Sequence, residues 1–131
     1  MLEYNRYIKL INFGVAKDIT GKDYINTFMG TANYMAPEII LGKNYNCSVD
    51  YCSLGVILSE MLYGYVPFGS DEKDVKNVYN EIIDKKVCFP SDVNCCNFNE
   101  FVSGLLQKNT KKRIIIIILT KLSLRNFLKI F

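Results

Sequence analysis

The stretch Gly30-Thr31-Ala32-Asn33-Tyr34-Met35-Ala36-Pro37-Glu38 decides how this chain is read. It follows Ile11-Asn12-Phe13-Gly14 and precedes Asp50-Tyr51-Cys52-Ser53-Leu54-Gly55, and the order and spacing of the three segments carry the assignment. Upstream, Asp18 to Asn33 is polar, dotted with glycine and without period, which predicts a loop. Tyr7 to Ile11 alternates in the manner of a short strand, with Asn12-Phe13-Gly14 as the turn after it. Downstream, Ser48 offers a capping hydroxyl for a helix to about Tyr63, with Asp50 in its first turn, Gly64 at the C-cap and Pro67 as a stop.

The middle of that helix, Leu54-Gly55-Val56-Ile57-Leu58, is apolar on every side, which predicts a post buried all round. Two amphipathic helices follow. Asp71 to Lys85 places Val75, Val78, Tyr79, Ile82 and Ile83 on one face, and Phe98, Phe101, Val102, Leu105 and Leu106 repeat the same offsets. Cys88 to Asn97, with Pro90, is the loop between them, and no internal repeat occurs.

The 131 residues are half hydrophobic, enough for one domain with a modest core. The net charge is +3, unevenly spread: all 13 acidic residues lie at or before Glu100, whereas seven of the 16 basic ones lie from Lys108 onward. Those seven are scattered and lack interleaved aromatic residues, so a solvated face is expected and no nucleic-acid partner. Five cysteines without a Cys-x-x-Cys pair, in a chain with no histidine, argue against a zinc site and for reduced thiols in the cytoplasm. Met1 to Arg6 opens no signal peptide. The six-residue apolar run Ile114–Leu119 falls far short of the ~20 residues of a membrane span.

Taken together, Asn12-Phe13-Gly14, Thr31 through Ala36-Pro37-Glu38 and Asp50 through Gly55 resemble the activation segment and central helix of a eukaryotic Ser/Thr protein kinase. Met35 to Gly42, Val49-Asp50-Tyr51 and Pro67-Phe68-Gly69 are most similar to the cyclic-GMP-dependent enzymes of the AGC group. The resemblance covers residues 1–113 and implies the C-terminal lobe of a kinase fold: mainly α, with a short β-hairpin and the activation segment at the N-terminus. Residues 114–131 form a divergent basic and apolar tail, a candidate for the last helix of the lobe. A complete kinase domain needs roughly twice this length.

What the resemblance implies for individual residues is specific. Asn12 stands where an Asp normally ligates magnesium beside the nucleotide phosphates. An amide keeps an oxygen but loses the charge that a hard cation favours. Phe13 and Gly14 complete that triplet as structural residues. Thr27 occupies the place of an activating phosphothreonine, with Lys17 as the basic residue that contacts its phosphate. Thr31 holds the place of the hydroxyl that meets the catalytic Asp.

Met29 and Ala32 would line the pocket for the substrate residue after the phosphorylated one, Ala32 replacing the more usual proline. Glu60 would hold a basic substrate residue, although by itself it reads as an ordinary helix carboxylate. Glu38 and Arg113 match a buried ion pair, and Asp50 matches a residue that binds the catalytic-loop backbone and otherwise faces water. Cys52 replaces a common tryptophan.

ATP and Mg2+ are the cofactors the family implies. The glycine-rich loop, the strand lysine, its glutamate partner and the His-Arg-Asp loop are not found in Met1 to Ile11, and Met1-Leu2-Glu3 resembles the stretch just after that loop. This chain alone is therefore expected neither to bind ATP in the kinase manner nor to supply catalytic residues. Its implied partners are a protein substrate or regulatory domain and an N-terminal lobe. Three readings follow: part of a Ser/Thr kinase domain, a non-catalytic docking module of pseudokinase type, or a non-functional truncated duplicate.

Overall fold

A computed structural model describes residues 11–19, 24–90 and 96–114. Helices dominate the described residues, in the order α1 (Pro37–Ile40), α2 (Ser48–Tyr63), α3 (Val75–Asp84) and α4 (Cys96–Leu105), with 3-10 turns at Phe13–Val15 and Ala32–Tyr34. The expected β-hairpin is absent among them. Residues 7–10 of the expected strand lie outside the described residues, and the single extended pairing among those described is an isolated antiparallel bridge between Ile25 and Tyr45. Two main-chain hydrogen bonds of 2.7 and 2.9 Å make that bridge and hold the loop before the Gly30–Glu38 stretch against the segment that enters α2.

Helix α1 starts on Pro37, whose fixed φ suits a first helical position. Its short span is anchored by burial of Ala36, Pro37 and Glu38. Helix α2 runs from Ser48 to Tyr63 and ends at Gly64 in the left-handed region (φ 80°), its N–H donating to Glu60 O at 2.8 Å. The start differs from expectation. Ser48 is a buried first-turn residue, and Asn46 accepts the Ser48 N–H on its side-chain oxygen at 3.0 Å, so the carboxamide two residues upstream satisfies the donor.

The all-round burial expected of α2 is also not met. Cys52, Gly55, Val56 and Ser59, spaced as one helical face, are buried, whereas Ile57 and Met61 on the other side are 43% and 75% exposed. The reason is that α4 and the Ala32–Tyr34 turn both pack on α2, and no described residue covers the opposite side. Gly55 lets α4 approach: a Cβ there would lie 3.0 Å from Leu105 and Leu106.

Helix α3 begins at Val75 rather than Asp71, because the Asp74 carboxylate caps it by accepting the Lys76 N–H at 3.0 Å. Val78 and Ile82 of its apolar face are buried; Val75, at the first helical position, is 49% exposed. Helix α4 begins at Cys96, inside the expected loop, of which residues 91–95 lie outside the described residues. Its Val102 and Leu105 are fully buried, and Leu106 follows just past the helix end. The tail from residue 115 onward lies outside the described residues.

Candidate functional site

A cavity of about 390 Å3 opens between the loop before Gly30 and the first turns of α2. Lys17, Thr27, Met29, Thr31 and Asp50 all reach its wall, so five positions scattered over 34 residues of sequence meet at one place. Lys17 Nζ donates to Thr27 Oγ1. Tyr45, on the other side of the Ile25–Tyr45 bridge, donates its hydroxyl to Thr27 O at 2.9 Å. Thr27 is thereby fixed at its main chain and met by an ammonium at its hydroxyl.

Asp50 sits in the first turn of α2, where the helix N-terminus favours negative charge. The residue as a whole is exposed, yet the adjoining cavity wall withholds water from part of its carboxyl, and this partial burial pushes the group above the usual carboxylate range. Thr31 is exposed, and its carbonyl accepts the Tyr34 N–H at 3.0 Å, closing the turn. Ala32 lies in that turn but off the cavity wall.

Glu60 joins the site only through Tyr34. The Tyr34 hydroxyl donates to Glu60 Oε2 at 2.7 Å, and that bond, with burial and the carboxylate's charge, raises the phenol above its ordinary value. Ser53 on α2 donates its hydroxyl to Tyr34 O at 2.8 Å. Tyr34 is thus tied to α2 at both ends, and the turn cannot shift without breaking both bonds. Neither Tyr34 nor Ser53 stands out in the sequence as a site residue; a tyrosine inside an otherwise small-residue turn is the available signal.

Beneath the site, Glu38 and Arg113 form a two-pronged ion pair, with Nη1 to Oε1 at 2.5 Å and Nη2 to Oε2 at 2.9 Å. Their side chains are 6% and 0% exposed. Arg113 also donates to Ser48 O and to Gln107 O, each at 3.0 Å, so one guanidinium joins α1, the start of α2 and the segment after α4. Burial works against its charge, but the bond to Glu38 and the nearby negative charge together offset this and hold Arg113 above its ordinary value.

Asn12, Phe13 and Gly14 stand apart from this assembly. Asn12 adopts the left-handed conformation (φ 63°, ψ 63°), which asparagine tolerates better than most residues. Phe13 is 67% exposed, so the expected structural role of its ring finds no packing among the described residues. Magnesium calls for several oxygen ligands, carboxylates among them. Asn12 offers one neutral oxygen, and no group of three acidic, cysteine or histidine side chains capable of holding a metal occurs among the described residues. These residues do not by themselves fit the metal. Nor is any helix among the described residues long and apolar enough to cross a membrane.

A loop fixed at Thr27, an Ala-Pro-Glu turn clamped by an arginine 75 residues away and an apolar central helix agree with the protein kinase domain family, which the sequence matches over residues 1–122, and the chain belongs to that family. Within it, the chain is of the serine/threonine, AGC type. It is 40% identical over 114 residues to a cGMP-dependent protein kinase of Plasmodium berghei and 43% identical over 114 residues to one of Toxoplasma gondii. It is 40% identical over 116 residues to the serine/threonine-protein kinase sgk-1 of Caenorhabditis elegans. Each likeness covers 87% of this chain but only 13%, 11% and 24% of the respective relative, so the chain spans a small part of these kinases.

Proposed function

We propose that this chain forms the activation segment and helical scaffold of a Ser/Thr kinase C-terminal lobe, regulated by phosphorylation at Thr27. The observation that carries the reading is the meeting of Lys17 with Thr27 at the rim of the cavity, above the Glu38–Arg113 clamp. A phosphate on Thr27 brings up to two negative charges and three acceptor oxygens within reach of Lys17. That added link between residues 17 and 27 orders the loop that faces a protein substrate. Met29, Thr31 and Ala32 receive the substrate backbone and its next residue, and Glu60, oriented by Tyr34, receives a basic side chain.

Phosphoryl transfer itself is not assigned to these residues. The nucleotide loop and catalytic loop of kinases are not in this sequence, and Asn12 supplies no charge for the metal, so ATP and Mg2+ belong to a complete domain. The family's protein substrates and regulatory partners are likewise partners of that whole. A second reading, a non-catalytic docking module, is favoured by the exposed Ile57 and Met61 on α2 together with Asn12.

The chain carrying encoded phosphothreonine at position 27 tests the regulatory role. Its 31P resonance titrates with a second pKa below the usual value of about 6, and Lys17→Met returns it to that value. Identical titrations of the two proteins would overturn the assignment.

A further inference from the structure

Lys108 follows α4 and turns its side chain inward. Its Nζ donates to Ile82 O at 2.5 Å and stands 3.7 Å from the centre of the Phe68 ring. Ile82 lies in the last turn of α3, where carbonyls lack helical partners, so the amine fills an acceptor that the helix leaves open. Phe68 is buried (3% exposed), and the ammonium over its face adds an attraction between cation and ring.

The peptide that Phe68 begins is held from further sides. Asn33 Nδ2 donates to Phe68 O at 3.1 Å and to Gly69 O at 3.2 Å. The Gly69 N–H donates to Glu81 Oε2 at 2.8 Å. Gly69 has φ 66°, and a Cβ there would lie 2.8 Å from a Val78 methyl, so the loop is pressed onto α3 with no slack. Asn33 is the central residue of the Ala32–Tyr34 turn. A contiguous series of contacts therefore runs from Lys108 through the Phe68–Gly69 peptide to that turn.

We propose that Lys108 is a positioning residue for the Ala32–Tyr34 turn, acting through the Phe68–Gly69 peptide, so that the charge on this amine sets where Asn33 is held. The meaning of this for substrate recognition rests on the proposed function; the coupling does not. Burial pushes the Lys108 amine down to about 8, so its charge changes under mild alkaline conditions. The groups that face it are the Asp84 carboxylate on α3, which favours its protonation, the Arg113 guanidinium, which opposes it, and Cys52 on α2, which would favour it only as a thiolate.

Cys52 is pushed up by burial and Tyr34 is raised by its bond to Glu60, so neither titrates in the range where Lys108 does. Loss of the proton removes the attraction to the Phe68 ring and weakens the bond to Ile82 O. It leaves the Asn33 bonds to Phe68 and Gly69 as the partners that must readjust.

The 131-residue chain with 13C-labelled asparagine, assigned through Asn33→Ser, reads this directly. In the unsubstituted chain the Asn33 side-chain carbonyl resonance moves with a midpoint near pH 8, together with the Lys108 side-chain carbon. Lys108→Met fixes it at the high-pH position throughout, Lys108→Arg fixes it at the low-pH position, and Cys52→Ala leaves the titration in place. An Asn33 resonance that does not move, or moves alike in Lys108→Met, overturns the proposal. Should Lys108→Met not fold, a Lys108→Arg chain that still titrates near pH 8 overturns it equally.

Discussion

Arg113 makes its four described side-chain hydrogen bonds inside the fold, two of them to the Glu38 carboxylate, while Lys112 beside it is exposed. Removing the guanidinium leaves Glu38 buried without its counter-charge and takes the side-chain donor away from the carbonyls of Ser48 and Gln107. Arg113→Ala is therefore expected to cost about 3–5 kcal/mol, and Lys112→Ala to stay within about 0.5 kcal/mol. Urea midpoints for the two variants check this, and equal midpoints would count against the clamp. The pairing is legible in the sequence only through family resemblance, since no local pattern links residues 75 positions apart. Asn33 and Lys108 are not legible at all. Their partners are main-chain carbonyls and a ring face, which leave no mark on residue type elsewhere in the chain.

The helices themselves are easier to read than their ends. Periodicity locates α3 and α4, because burying one apolar face does most to hold a helix on a core, whereas cap and stop residues around an apolar run locate α2. The starts depend on single polar side chains: Asn46 and Asp74 reach the first free N–H groups, which places Ser48 inside α2 and shortens α3 to Val75. Burial is the less legible property of α2, whose sequence is apolar all round but which presents Ile57 and Met61 outward. Adjacent residues on this helix should then differ sharply. Val56→Ala, at a fully buried core position, is expected to lose about 2 kcal/mol, and Ile57→Ala less than about 1 kcal/mol. Similar losses at both positions, measured by thermal unfolding, would mean that the outer face of α2 is covered in solution.

At the scale of the whole molecule, the loop and turn before α1 join a helical scaffold through three kinds of link: the Ile25–Tyr45 bridge, the Tyr34 bonds to α2 and the Glu38–Arg113 clamp. Family membership is readable from motif order and spacing. The meeting of Lys17, Thr27, Met29, Thr31 and Asp50 around one cavity needs the fold, because a loop without period gives no register from which distances follow. What the assembly holds is a loop fixed at Thr27 beside a cavity, under the function proposed above a phosphorylatable loop and a substrate surface; what the described residues lack is a cluster of acidic, cysteine or histidine side chains able to hold a metal. The most direct test is the thermal unfolding of the chain with and without magnesium and ATP. The account predicts no change in Tm at any ATP concentration up to millimolar. A saturable rise at micromolar ATP, equivalent to about 2.7 kcal/mol at about a hundredfold excess over Kd, would contradict it and assign nucleotide binding to this chain.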